Sequence, residues 1–152
     1  MNKKVPYVIH KHNAFRAGLH YDLRIKYPDK RKLISFAVPK YKFPKGPGTK
    51  SIVIRVNDHS LSWLEKQKVK IPRGEYGGGF LEIVQKGIAD IILWNDKVII
   101  FEVVGDIADG RYYLFSTGRK KSTERTKSTS EIWILLQKKD NDKSFSDNKL
   151  FL

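Results

Sequence analysis

The sequence predicts an all-β fold, a compact closed or nearly closed β-barrel with short helical segments at most, on three observations. Short runs rich in β-branched and aromatic residues recur along the chain, separated by Gly, Pro, Asn and Asp. Only one stretch, Leu61–Lys68, reads as a helix, and it is short. So many short strands in 152 residues are best housed in a closed sheet, which leaves no unpaired edges.

In chain order the predicted strands are Tyr7–His12, His20–Lys26, Lys32–Val38, Ile52–Val56, Gly79–Gln85, Asp90–Trp94, Val98–Val104, Arg111–Ser116 and Ile132–Lys138. Pro28-Asp29 and Asn95-Asp96 each lie between two apolar runs and predict tight turns. Three stretches read as loops. Tyr41–Lys50 holds Pro44, Gly46, Pro47 and Gly48. Thr117–Ser130 is Ser/Thr-rich with five basic residues and one acid, Glu124. Asp140–Lys149 is polar. The expected organisation is one barrel domain over residues 1–140 and a polar tail over 141–152, with a hydrophobic fraction of 40% sufficient for a core.

Thirty basic against sixteen acidic residues give a formal charge of +14. Residues 1–50 hold thirteen Lys and Arg against two acids, Asp22 and Asp29, hence +11; the remainder contributes only +3. A basic surface built mainly by one third of a domain points to a polyanion, most often nucleic acid. The absence of cysteine excludes a disulfide scaffold, a thiolate zinc site and a cysteine nucleophile. No apolar run approaches the ~18 residues of a membrane span, and the basic Met1–Lys4 start lacks the apolar core of a signal peptide. The expectation is a cytoplasmic protein, monomeric and unattached to membrane.

All four histidines, His10, His12, His20 and His59, fall in the first 59 residues. On a strand, residues i, i+2 and i+4 share a face, so His20, Asp22 and Arg24 project together while Tyr21, Leu23 and Ile25 turn to the core. His10 and His12 share a face of the preceding strand. If the two strands pair, imidazoles and a carboxylate converge, a nitrogen and oxygen donor set suited to Mn²⁺, Fe²⁺ or Zn²⁺. Arg24 is then placed to grip an anionic oxygen. A single His-x-Asp is more often surface decoration; the clustering of histidines with Asp22 and Arg24 favours a site. Asp58-His59 closes a strand and is either a polar turn or a fourth imidazole. The Gly-rich segment Ile71–Gly79 is not a P-loop and reads as a turn, with Tyr76 packed or lining the cleft.

The run Val8-Ile-His-Lys-His-Asn-Ala-Phe-Arg-Ala-Gly-Leu-His-Tyr-Asp-Leu-Arg24 resembles the signature of the 3′-phosphoesterase domain of bacterial and archaeal DNA ligase D. Ser35–Lys40, Val56–Leu61, Ile71–Gly79, Gly110–Leu114 and Trp133–Leu136 resemble further motifs of that family in the same order. The resemblance implies a β-barrel that trims DNA 3′ ends with Mn²⁺, removing a terminal ribonucleoside and then the 3′ phosphate in DNA repair. It implies His12, His20 and Asp22 as metal ligands and Arg24 and His59 as catalytic, phosphate-binding residues. By the same resemblance Lys40 reaches the phosphate, and His10, where the family often has Gln or His, contacts substrate or a neighbouring residue. DNA 3′ ends are the implied partner, with a separate ligase or polymerase as a further one. The chain departs from the family in two extra residues between His12 and His20, in Asn57 for a common Glu, and in Trp63 for a common Tyr. The expectation is a stand-alone homologue with the N-terminal arm nearly absent and no ligase or polymerase domain attached. Two rival readings stay open: a catalytically impaired nucleic-acid-binding homologue, and a non-haem Fe(II) dioxygenase using His20, Asp22 and His59.

Overall fold

Strict alternation along one strand decides the layout of the molecule. In the computed structural model, which describes residues 3–14, 18–40, 42–67, 69–71, 79–122 and 129–138, Leu23 and Ile25 enter the core and Tyr21 packs against it. His20, Asp22 and Arg24 occupy the opposite face of the same strand. The elements are β1 (Lys3–Ala14), β2 (Gly18–Lys26), β3 (Leu33–Pro39), β4 (Lys50–His59), a 3-10 helix (Leu61–Leu64), β5 (Val69–Ile71), β6 (Gly79–Trp94), β7 (Val98–Val103), β8 (Gly110–Ser122) and β9 (Thr129–Gln137). The sheet runs β1-β2-β3-β4-β9-β8-β7-β6, and β6 pairs back onto β1, closing an antiparallel barrel of eight strands. β5 adds a short ninth strand to β6. The expected all-β closed barrel is thus the fold.

The core holds Tyr7, Ile9, Leu23, Ile25, Phe36, Phe101, Tyr112 and Trp133 from strands around the ring. Edge-on aromatic contacts between Phe36 and Trp133 and between Phe43 and Tyr112 lock it. No helix among the described residues is long and apolar enough to cross a membrane.

Two irregularities orient the rest. β6 carries one extra residue against β1, because Ile9 faces Gln85 while His10 faces Ile83. Such a bulge reverses the face presented by the residues beyond it. Leu81 and Ile83 therefore share the face of His12 and His10, whereas Gln85 turns to the core face. β4 carries one extra residue against β3, because Ser35 faces Val56 while Leu33 faces His59. His59, and not Asp58, consequently lies on the face of Ser35 and Arg24.

Several sequence expectations are corrected. The strands expected at Gly79–Gln85 and Asp90–Trp94 are one strand, since Lys86–Ala89 pairs with Val5–Val8; Gly87, which interrupts the apolar run, simply sits opposite Tyr7. The Thr117–Ser130 loop is largely strand: Arg119–Ser122 pairs with Thr129–Ile132. Thr117, one of the side chains that suggested a loop, is absorbed there, its Oγ1 donating to Ile132 O, and residues 123–128 lie outside the described residues. The helix expected over Leu61–Lys68 is only the four-residue 3-10 turn, and the carbonyl of Lys66 is taken by His10 rather than by a helical N–H. β5 has no counterpart among the expected strands. Tyr76, most of Ile71–Gly79 and the tail from residue 141 lie outside the described residues.

Gln85 shows how the bulge is secured. Its amide donates to Tyr7 Oη (2.7 Å) and Ala108 O (2.9 Å) and accepts from the N–H groups of Ile107 (2.9 Å) and Ala108 (3.0 Å). Gly105 leaves the room, because a Cβ there would meet the Gln85 amide at 2.2 Å. Gln85→Leu orphans these buried groups and should lower unfolding stability by roughly 2–4 kcal/mol. Urea titration of the two proteins measures this; a loss below roughly 0.5 kcal/mol, the scale of an inert surface change, would show that the 105–109 loop is held by other contacts.

Candidate active site

The β1–β2 register sets His12 directly opposite His20 and His10 opposite Asp22. The two rings of His12 and His20 lie 4.7 Å apart. Asp22 stands between them: its Oδ2 is 3.1 Å from His12 Nδ1, and its Oδ1 is 3.2 Å from His20 Nε2. Ligand atoms of His12, His20 and Asp22 all fall within 4.8 Å of one another. Among the described residues, His59 is not part of that group.

The donor chemistry fits a divalent ion. His20 Nδ1 lies 3.2 Å from the Gly18 carbonyl, which can only accept, so Nδ1 carries the proton and a neutral His20 turns the lone pair of Nε2 toward the Asp22 carboxylate. Two acceptors in contact require a cation between them, either a proton or a metal. Hence the direction of the His20 pKa: burial lowers it, but the Asp22 hydrogen bond and charge outweigh burial and raise it. Burial likewise pushes the Asp22 carboxyl up, yet His12, His20 and Arg24 together hold it far below the usual carboxylate range.

Arg24, next along the face, is buried at 3% exposure. Its Nη1 donates to His10 Nδ1 (2.7 Å), its Nη2 approaches Asp22 Oδ2 (3.4 Å), and its guanidinium lies 4.7 Å from the Trp63 ring centroid. His10 is wholly buried, with Nε2 2.8 Å from Lys66 O. Its two ring nitrogens thus face Arg24 on one side and Lys66 on the other. His59 Nδ1 is 3.0 Å from Ser35 Oγ, and its ring meets Trp63 edge-on at 4.7 Å. Burial, then the charge of Arg24, push the pKa of His59 and that of His10 down to about 4.

The histidines thus differ by neighbour: beside Asp22 the pKa of His20 rises, and beside Arg24 those of His10 and His59 fall. Lys40 follows β3 directly after Pro39, the residue opposite His20. It is exposed and holds φ at 54°, with its N–H donated to Leu19 O at 3.0 Å. A left-handed non-glycine at a site's rim is a conformation the surroundings must enforce. Sequence reasoning missed Ser35 and the covering role of Trp63 and Lys66. Only the alternation of Leu33, Ser35 and Ala37 against Ile34 and Phe36 hints that Ser35 turns outward from the core.

Comparison with known proteins agrees with this geometry. The family model for the DNA ligase D 3′-phosphoesterase domain matches residues 10–133. The multifunctional non-homologous end joining protein LigD of Mycolicibacterium smegmatis is 33% identical over 125 residues, which is 75% of this chain and 16% of that protein. The proteins of that kind from Mycobacterium bovis and Mycobacterium tuberculosis are each 34% identical over 115 residues, 73% of this chain and 14% of theirs. The chain spans between about one seventh and one sixth of the length of these relatives.

The depressed pKa of His59 has a checkable sign. The folded protein keeps this imidazole neutral down to about pH 4, while the unfolded chain protonates it near 6.5. Stability from this group is complete above the unfolded value and is lost as pH falls through that window, at roughly 1.4 kcal/mol per pH unit. In phosphate-free buffer, an NMR titration of His59 should show its midpoint near 4. Wild type should also lose more stability than His59→Gln between pH 7 and pH 5. A midpoint near 6.5 would mean that Arg24 and burial do not act on this ring.

Proposed function

The chain belongs to the DNA ligase D 3′-phosphoesterase domain family, and from that premise we propose that it is a Mn²⁺-dependent phosphoesterase that processes DNA 3′ ends in repair. Its substrates on this reading are primer ends bearing a terminal 3′ ribonucleoside or a 3′ phosphate. The observation that carries the reading is one buried face on which His12, His20 and Asp22 gather beside Arg24, with His59 beyond it. The arrangement supports a phosphoesterase over a dioxygenase, because His59 bonds Ser35 instead of joining His20 and Asp22.

His12, His20 and Asp22 would hold the divalent ion, which when bound supplies Lewis-acid polarisation of a phosphate oxygen. A nitrogen-rich set favours Mn²⁺ over Mg²⁺, which prefers oxygen ligands and its own waters. Arg24 stabilises negative charge gathering on the phosphoryl oxygens as water adds to phosphorus and the ester P–O bond breaks. In the free site His59 is neutral at pH 7, with one ring N–H to donate and one nitrogen to accept. An anionic phosphate against it raises its proton affinity, which suits it to protonate the leaving oxygen. Lys40, at the rim, adds positive charge where the substrate enters.

The DNA backbone is held by charge. Lys3, Lys4, Lys11, Lys30, Arg31, Lys32, Lys42, Lys45 and Lys50 are exposed. The β8–β9 ribbon adds exposed Arg119, Lys120 and Lys121. It runs on past the Arg55–Glu131 pairing, on the side of β4 that leads to His59. Such contacts carry no sequence information. A DNA ligase acting on the resulting 3′ hydroxyl is the fitting partner.

The purified protein, Mn²⁺ and a primer-template with a 3′ phosphate should yield a 3′-hydroxyl product, with Mg²⁺ a poor substitute. His12→Ala, His20→Ala and Asp22→Ala should each abolish Mn²⁺ binding and hydrolysis. His59→Ala should keep the metal and lose a factor of about 10²–10⁴ in single-turnover rate. Full activity in Mg²⁺ after chelation, or loss of the metal on His59→Ala, would overturn the assignment. DNA affinity should fall steeply with salt for any sequence. Replacing Arg119, Lys120 and Lys121 by Ala should flatten the slope of log affinity against log salt by roughly 0.9 for each DNA phosphate that these side chains neutralise. An unchanged slope would remove the ribbon from the DNA surface.

A further inference from the structure

His10 belongs to neither half of the site, yet it is shut away from solvent with a charged donor on one nitrogen and a carbonyl on the other. A guanidinium can only donate, and a carbonyl can only accept. One protonation state alone satisfies both contacts: a neutral ring that accepts from Arg24 Nη1 at Nδ1 and donates to Lys66 O from Nε2. A second proton would place two cations 2.7 Å apart, and the other tautomer would oppose like groups at both ends.

Of the Arg24 contacts to His10, Asp22 and Trp63, the one to His10 is the shortest. The Asp22 oxygen is 3.4 Å away and belongs to the carboxylate that faces His12 and His20. The Trp63 ring lies under the guanidinium carbon at 4.7 Å from its centroid and offers no directional hydrogen bond to it. Trp63 and Lys66 lie on the same short segment after β4, and the Lys66 ammonium sits 4.1 Å from the Trp63 centroid. The segment therefore reaches Arg24 twice, by the indole face directly and by the Lys66 carbonyl through His10.

We propose that His10 is a positioning residue that couples the Leu61–Lys66 segment to Arg24, fixing the guanidinium for phosphate binding. The phosphate role of Arg24 rests on the function proposed above; the mechanical link does not. The requirement is one acceptor and one donor at opposite ends of a side chain of this length. Gln meets it, with a carbonyl oxygen for Arg24 and an amide N–H for Lys66 O. Leu fills similar space and meets neither.

Two readouts, one of them blind to activity, test the link. In wild type, ¹⁵N NMR should find His10 protonated at Nε2 alone and the two Arg24 Nη groups distinct through slow rotation. A ring protonated at Nδ1 overturns the proposal without any variant, which covers the case in which His10→Leu fails to fold. In His10→Leu the Arg24 Nη signals should average. The KM for a 3′-phosphorylated primer-template under saturating Mn²⁺ should rise by about 10- to 100-fold, the scale of one hydrogen bond to a charged group. Mn²⁺ affinity should stay within about twofold, since no ligand to the ion is altered. His10→Gln should restore both the distinct signals and KM. Arg24 signals unchanged in His10→Leu, or no rescue by Gln, would overturn the link. A wild type with distinct Arg24 signals and the Nε2–H ring but no hydrolysis would support the link while overturning the phosphoesterase reading.

Discussion

A single buried carboxylate organises this molecule's chemistry. Asp22 is removed from water on a sheet face, where an uncompensated charge costs several kcal/mol. Its compensation comes from three side chains within 3.4 Å, His12 across the ladder and His20 and Arg24 on its own strand. That grouping exists only in one register of β1 on β2, with His12 opposite His20. A slip of one residue would turn Tyr21, Leu23 and Ile25 onto the site face and drive His20, Asp22 and Arg24 into the core. Core packing and charge compensation thus demand the same register, and neither can be satisfied without the other.

From Asp22 the face divides into two regions of opposite preference. Toward the β1–β2 hairpin, two imidazoles and a carboxylate attract a cation. Toward β3 and β4, Arg24 and a neutral His59 attract an anion. The boundary is the 3.4 Å contact between Asp22 and Arg24, which ties the two together while each neutralises the other. Burial strengthens both preferences, because fewer waters remain to screen them. On the function proposed above, this boundary is where the chain sets its cation-attracting and anion-attracting groups side by side.

How much of this could be read from the sequence follows from what sets each feature. Alternation alone separates His20, Asp22 and Arg24 from Tyr21, Leu23 and Ile25, because strand periodicity is local and strict. Pairing of His12 with His20 follows once those strands are neighbours, which consecutive strands usually are. The face of His59 was not legible: without the extra residue in β4, Asp58 would share the face of Val56 and Ser35, and nothing in Val56-Asn-Asp-His59 announces a bulge. The continuity of β6 through Lys86–Ala89 was hidden for a related reason. Gln85 and Lys86 are polar and Gly87 interrupts the apolar pattern, while the pairing with β1 that holds it is remote in sequence. The strand extension at Arg119–Ser122 was masked by composition, since Ser, Thr and Lys on a solvated ribbon resemble a loop.

The positions at which the chain departs from its family's common pattern now have a place in the fold. Asn57 sits at the β4 irregularity and is exposed, so exchanging a carboxylate for an amide there alters the rim without adding a charge to the buried face. Trp63 covers the face instead of standing on it. An indole N–H in place of a phenol removes a hydroxyl that a phosphate could use. It also supplies the best aromatic surface for a cation, and two cations exploit it: Arg24 at 4.7 Å and Lys66 at 4.1 Å from the ring centroid. The exchange therefore trades a polar contact for a stiffer hold on Arg24, in a segment whose Lys66 carbonyl engages the same arginine through His10. The strand residues that gather the cation-binding and anion-binding groups are untouched by either departure, so the changes bear on how the cover holds Arg24 and leave the polarity of the buried face as it was.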